Sequence, residues 1–165
     1  DFLLLMSDHL VCGELVQRVR RERRRDCVAT VGIDRVFAAL HDIDDGMKVE
    51  IDRAEKVTAI SKTLPAYYVI DFGVFNFSPS LSEYPRAAIT AGEASLSHAC
   101  ARAADNGNMG TVDITGLPWH DIDTPDGLAA ADEYYFARHW HRGRRVFTAW
   151  LAASTIVIIA LQLLR

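Results

Sequence analysis

The stretch YYVIDFGVFNFS, residues 67–78, limits the fold more than any other part of this 165-residue chain. Its aromatic and β-branched residues are strongly strand-forming, and Gly73 in its middle marks a point where another group can approach the backbone closely. Phe2 to Met6 is also apolar without interruption, and such continuous runs suit strands buried on both faces of a parallel sheet. Shorter strands are predicted at residues 27–34, 47–51 and 56–61 and in GTVDI, residues 110–114. Helices are predicted at 14–25, at 93–105 with a stop at Asn106-Gly107, and from Thr124 to about Arg142. Strands alternating with helices imply an α/β domain, a Rossmann-like and mostly parallel sheet with helices on both faces.

The formal charge is −4, which gives no general case for nucleic-acid binding, because phosphate recognition needs a positive surface. Cys12, Cys27 and Cys100 are widely spaced and form no CxxC pair, so they read as reduced, buried small residues rather than a zinc site. The chain opens on DFLLLMSDH, without an initiator Met or a basic leader, which suggests part of a longer protein. The arginines at 18, 20, 21 and 23–25 read first as a solvated helix face, with contact to anionic lipid as the alternative.

The tail is different. Phe147 to Leu164 is 18 residues without a charge. At a rise of about 1.5 Å per residue it spans roughly 27 Å, slightly short of a hydrocarbon core of about 30 Å. Arg138, His139, His141, Arg142, Arg144 and Arg145 precede it, and basic residues at one end of an apolar helix mark the cytoplasmic side. A buried core helix is the alternative, but a domain this small has too little protein to cover such a stretch all round. The expected division is a domain over 1–143 and a transmembrane helix over 144–165. The α/β domain would then lie on the cytoplasmic side of a membrane.

Two places carry carboxylates beyond what local structure needs. Asp8 lies just past an apolar strand, where ligands bind in open α/β sheets, although strand-end Asp residues also cap turns. In WHDIDTPDGL, residues 119–128, Thr124, Pro125 and Asp126 form a helix start. Asp121 and Asp123 are surplus to that job. In an extended segment they share a face, with Ile122 on the other and Trp119 packed beneath. Paired carboxylates repel unless a cation sits nearby, which points to Mg²⁺ with its preference for oxygen ligands.

Five blocks in series, LLLMSDH, DIDDGMKVEID, KVTAISKTLPAYYVIDFGVFNFSP, ASLSHACARAADNGNMGTVDI and WHDIDTPDGLAAAD, resemble the nucleotidyltransferases that activate sugar or polyol phosphates. The likeness is greatest to the inositol-1-phosphate cytidylyltransferase type, which is often fused to a membrane CDP-alcohol phosphotransferase, and it covers roughly Asp1 to Tyr135. The resemblance implies a nucleotidyltransferase or GT-A-like fold and a Mg²⁺-dependent reaction. CTP is the favoured nucleotide and a sugar or polyol phosphate such as inositol 1-phosphate the acceptor. It implies Asp8 and Asp121 as metal ligands, with Asp123 as a further one. Lys62 would contact the acceptor phosphate, while Asp71 and Gly73 line the acceptor pocket. His9, beside Asp8, reads either as a contact to the acceptor or as a structural strand-end histidine.

The family's Gly-rich basic loop, of the LAAGxGxR kind, has no counterpart in this sequence, and neither does the DGxxAR phosphotransferase signature. The fold is therefore expected to be N-terminally incomplete and the chain inactive alone. Two other readings stay open: a membrane-anchored binding or scaffold domain without catalysis, and a molybdopterin-type nucleotidyltransferase. A dimer is among the assemblies the sequence allows.

Overall fold

The computed structural model describes residues 1–36, 46–67 and 69–135. The expected tail span and its basic flank lie outside these residues, as does the part of the expected last helix beyond residue 135. Among the described residues no helix is long and apolar enough to cross a membrane. The chain divides into two units, Asp1–Asp123 and one beginning at Thr124.

The first unit is built on a six-stranded sheet. Its strands are β1 (Phe2–Leu5), β3 (Ala29–Asp34), β4 (Lys48–Ile51), β5 (Val57–Ser61), β6 (Val69–Phe77) and β7 (Met109–Asp113). The order is β5-β4-β6-β3-β7, with β1 also pairing β6. Since β3 follows β6 from Ile70 to Phe77, β4 at residues 69–70 and β1 at residues 74–77 share its other edge. A separate two-stranded ribbon joins β2 (His9–Val11) to β8 (Trp119–Asp121). The helices are α1 (Gly13–Arg21), α2 (Glu83–Thr90) and α3 (Leu96–Asp105).

The helices follow from their sequences. In α1, Leu15 and Val19 are one turn apart and fully buried, while Glu14 opens the helix and Arg18, Arg20 and Arg21 close it, each favourable to the helix dipole. The helix ends at Arg21, so the basic run is not one continuous helix face: Arg23 to Arg25 lie beyond it. In α3, Ser95 Oγ accepts the His98 backbone N–H, and the expected stop at Asn106-Gly107 is present, with Gly107 at φ 67°.

Helices cover both faces of the sheet, as expected. One face, with Ala29, Val31, Ile33, Phe75 and Phe77, packs on Cys100, Ala103 and Ala104 of α3. The other, with Phe72 and Val74, packs on Leu15 and Val19 of α1. The expectation of a mostly parallel sheet fails. Only β3 and β7 run parallel among the described pairings, and β6 is antiparallel to β1, β3 and β4. The physical reason is that an apolar run reports burial on both faces, not strand direction. All nine residues of β6 are buried inside an antiparallel neighbourhood.

The second unit begins with a helix over residues 125–135. Thr124 Oγ1 accepts the Gly127 backbone N–H at 3.0 Å, which is the cap that the Thr-Pro step predicts.

Candidate functional site

The site grows from a turn. After β1 the chain bends through Ser7 and Asp8 and enters β2, which pairs His9 with Asp121 and Val11 with Trp119. The Ile122 N–H donates to the Asp8 carbonyl at 3.0 Å. Asp8 and Asp121, far apart in sequence, thus both end close to His9. The imidazole Nε2 lies 4.0 Å from Asp8 Oδ1 and 3.7 Å from Asp121 Oδ2.

His9 is held from behind. Its Nδ1 is 2.6 Å from the Phe72 carbonyl, which can only accept, so Nδ1 carries the proton and Nε2 faces the carboxylates. Its ring stacks on Trp119 at 5.9 Å. The Trp119 indole donates to buried Asp34 Oδ2 at 2.9 Å, which pins the residue beneath the acidic turn.

The two carboxylates are poorly satisfied. Asp8 Oδ1 and Asp121 Oδ1 are buried and have no hydrogen-bond partner. Each side chain as a whole is still a little over one-third exposed, so the burial falls on one oxygen of each. Burial pushes the Asp121 carboxyl above the ordinary range, with the charges of Asp123 and Asp8 adding to it and His9 opposing it. Asp123 itself is exposed, and among the described residues no hydrogen bond or ion pair ties its side chain to Asp8 or His9.

Gly73 meets the expectation of close approach. It adopts φ 76°, and a Cβ there would come within 2.4 Å of His9 Nδ1 and 2.7 Å of Met6 Cγ. It sits in an irregular stretch where β6 advances from Asp71 to Phe75 while β3 advances only from Ile33 to Val31. Asp71 is buried beside it, and its Oδ1 accepts the Gly73 N–H at 2.6 Å. Burial pushes the Asp71 carboxyl up to about 7, against the opposing effects of that N–H and of His9.

Lys62 follows β5 at the far edge of the sheet and is exposed. It lies at the same end of the sheet as Asp71. Ser61, Lys48, Ile70 and Asp34 stand in one row across four strands. Sequence reasoning missed two members of this end. Lys48 is 8% exposed, donates to the Lys62 carbonyl at 2.7 Å and stands over the Tyr67 ring. Asp34 anchors Trp119. A lysine inside the strand MKVEID was the available signal for the first. Nothing local distinguished the second.

Among the described residues no group of three or more His, Cys, Asp or Glu side chains is arranged to hold a metal ion. Mg²⁺ asks for less, since it is commonly bound through one or two carboxylates plus substrate phosphates and water. Asp8 and Asp121, each with a buried oxygen lacking a partner, could supply those two.

No protein-family model matches the chain. Two curated proteins are similar to it, each named "Bifunctional IPC transferase and DIPP synthase". One, from Rubrobacter xylanophilus, is 33% identical over 80% of this chain, and one from Thermococcus kodakarensis is 28% identical over 79%. The chain spans only 29% and 28% of their lengths. In fold it is similar to the inositol-1-phosphate CTP transferase from T. maritima, with a TM-score of 0.66 and 21% identity, over 76% of this chain and 50% of that one. The motif order and the curated relatives point the same way, and the fold is consistent with both: the chain is similar to the nucleotidyltransferases that activate sugar or polyol phosphates.

Proposed function

We propose that this chain provides the metal-binding and acceptor side of a centre that transfers CMP from CTP to a sugar or polyol phosphate such as inositol 1-phosphate. The observation that carries this reading is the pair of buried, unpartnered oxygens on Asp8 and Asp121, set around a histidine of fixed tautomer. An oxygen of the acceptor phosphate attacks the α-phosphorus of the nucleotide. A new P–O bond forms as the bond to the bridging oxygen breaks, and pyrophosphate leaves. Such transfer is mostly positioning and charge neutralisation, and it needs no covalent nucleophile.

Mg²⁺ held by Asp8 and Asp121, with Asp123 beside them, would neutralise charge on the phosphates. His9 stands beside both carboxylates and touches the acceptor through Nε2. Asp71 and Gly73 shape the floor behind His9, and Lys62 meets the acceptor phosphate. The name of the curated relatives, and the likeness in fold to an inositol-1-phosphate CTP transferase, support a phosphorylated inositol as acceptor and CTP as donor. The uncharged stretch from Phe147 to Leu164 supports a membrane anchor with the α/β domain on its cytoplasmic side.

Calorimetric titration with Mg²⁺ tests the metal reading directly. Asp8→Asn and Asp121→Asn should each remove measurable binding, and Asp123→Asn should weaken it only a few-fold. Wild-type affinity in the first two would remove both residues from the metal site. Because the sequence contains no Gly-rich basic loop to cradle the nucleotide phosphates, the chain alone should release no pyrophosphate from CTP and inositol 1-phosphate. Turnover by the chain alone would sink that expectation.

A further inference from the structure

We propose that an arginine-lined cavity at the other end of β1 binds a phosphate ester. The cavity, of about 560 Å³, opens between the start of β1 and the end of α1, and its polar lining is Asp1, Arg20, Arg21, Arg23, Arg25 and Asn76. Phe2 pairs with Phe77 and Leu3 with Asn76, so it lies at the end of β1 and β6 away from Asp8 and Asp71. It shares no residue with the nucleotidyl-transfer reading and stands independently of it.

The charge is concentrated, and Asp1 compensates only part of it. Arg23 is paired with Asp1 at 3.0 Å, and the nearby acid Glu22 is taken by Arg18 at 3.4 Å. Arg20, Arg21 and Arg25 are exposed and have no acidic partner among the described residues. A solvated helix face does not account for them, because α1 ends at Arg21 and Arg25 is brought to the same cavity by the loop that follows. Three like charges around one concavity repel, and an anion placed among them relieves this. The last carbonyls of α1 oppose an anion, but they amount to about half a charge.

Two buried polar atoms indicate more than diffuse attraction. Arg23 Nε is a donor with no partner, and Asn76 Oδ1 is an acceptor with none, on a side chain only 4% exposed. A planar guanidinium suits phosphate oxygens, while an amide carbonyl takes a hydroxyl. A phosphate ester that carries a hydroxyl, either a free solute or a lipid headgroup, offers both.

The test uses the full chain. Inorganic phosphate and glycerol phosphate are titrated in solution, and binding to vesicles of phosphatidylglycerol is compared with binding to vesicles of phosphatidylcholine. Arg20→Ser with Arg25→Ser should weaken binding at least tenfold with an unchanged unfolding midpoint. The charge-matched pair Arg53→Ser with Arg86→Ser should change it less than twofold. Saturable solution binding, tighter for glycerol phosphate, identifies a free solute; retention on anionic vesicles alone identifies a headgroup; either upholds the site. No binding in both arms, or equal loss in the two double variants, overturns it.

Discussion

The two faces of the sheet are both buried, yet they differ in kind. Under α3 the contact is apolar and close: Ala29, Val31, Ile33, Phe75 and Phe77 meet Cys100, Ala103 and Ala104, whose small side chains let the helix approach. Under α1 the apolar cluster is smaller, and polar groups interrupt it. Thr30 accepts from Arg24, Asp34 from Trp119, and Asn76 keeps an unpartnered oxygen. Phe72 lies where Gly32 leaves room: a Cβ on Gly32 would fall within 1.8 Å of its ring. That ring meets Trp119 at 6.0 Å, and Trp119 carries His9 and the acidic turn. One face therefore holds the fold together, and the other transmits its shape to the candidate site.

The strongest test of this division is Phe77→Ala on the first face. It should cost about 3–5 kcal/mol in denaturant unfolding, as large aromatic truncations do, while leaving the Mg²⁺ affinity of the folded protein unchanged. A parallel loss of ion affinity would break the division.

Asp71 is the next largest. It pairs in register with Ile33, and so lies on the apolar side as a buried carboxyl. Its folded-state value of about 7 stands above that of the unfolded chain, so folding takes up a proton between about pH 4 and pH 7. Wild-type stability should fall as pH rises through that window and level off above it. Asp71→Asn keeps the acceptor for Gly73 N–H and should remove roughly 2–3 kcal/mol of this dependence between pH 5 and pH 8. Unfolding curves at the two pH values that stay parallel for wild type and variant would show that Asp71 does not titrate there.

Gly32→Ala probes the second face. Overpacking of this kind costs about 1–3 kcal/mol, and because Phe72 must move, it should also change Trp119 fluorescence and weaken Mg²⁺ binding. Destabilisation with an unchanged tryptophan signal would mean that Phe72 does not carry the coupling. The smallest effect belongs to Ser95→Ala, a loss of about 1 kcal/mol from the α3 cap, with no change at Asp8 or Asp121. Differential scanning calorimetry resolves it.

Much of the fold was legible because burial and helix ends leave local marks. The apolar runs at Phe2–Met6 and residues 67–78, the Asn106-Gly107 stop and the Thr124 cap were all readable from adjacent residues. α2 was missed because its sequence, EYPRAAIT, has a proline and little apolar periodicity. β2 and β8 were missed because three-residue strands have no period to detect. At the site, Asp8, Asp121 and His9 were visible as polar residues just past apolar ones. Asp34 was not, because nothing next to it in sequence shows that it meets Trp119, and the one local mark of Lys48, a lysine inside a strand, does not show what it faces.

The sequence by itself determined which segments are buried, where the helices begin and stop, and the motif order that the chain shares with the nucleotidyltransferases it resembles. These depend on neighbours along the chain, where side-chain chemistry acts on its own backbone. The tertiary structure alone decided the antiparallel course of β6, the pairing of His9 with Asp121, and the gathering of arginines from α1 and its following loop around one cavity. Each of these is a choice of partner, and strand direction and register come from closing the whole sheet rather than from any one segment.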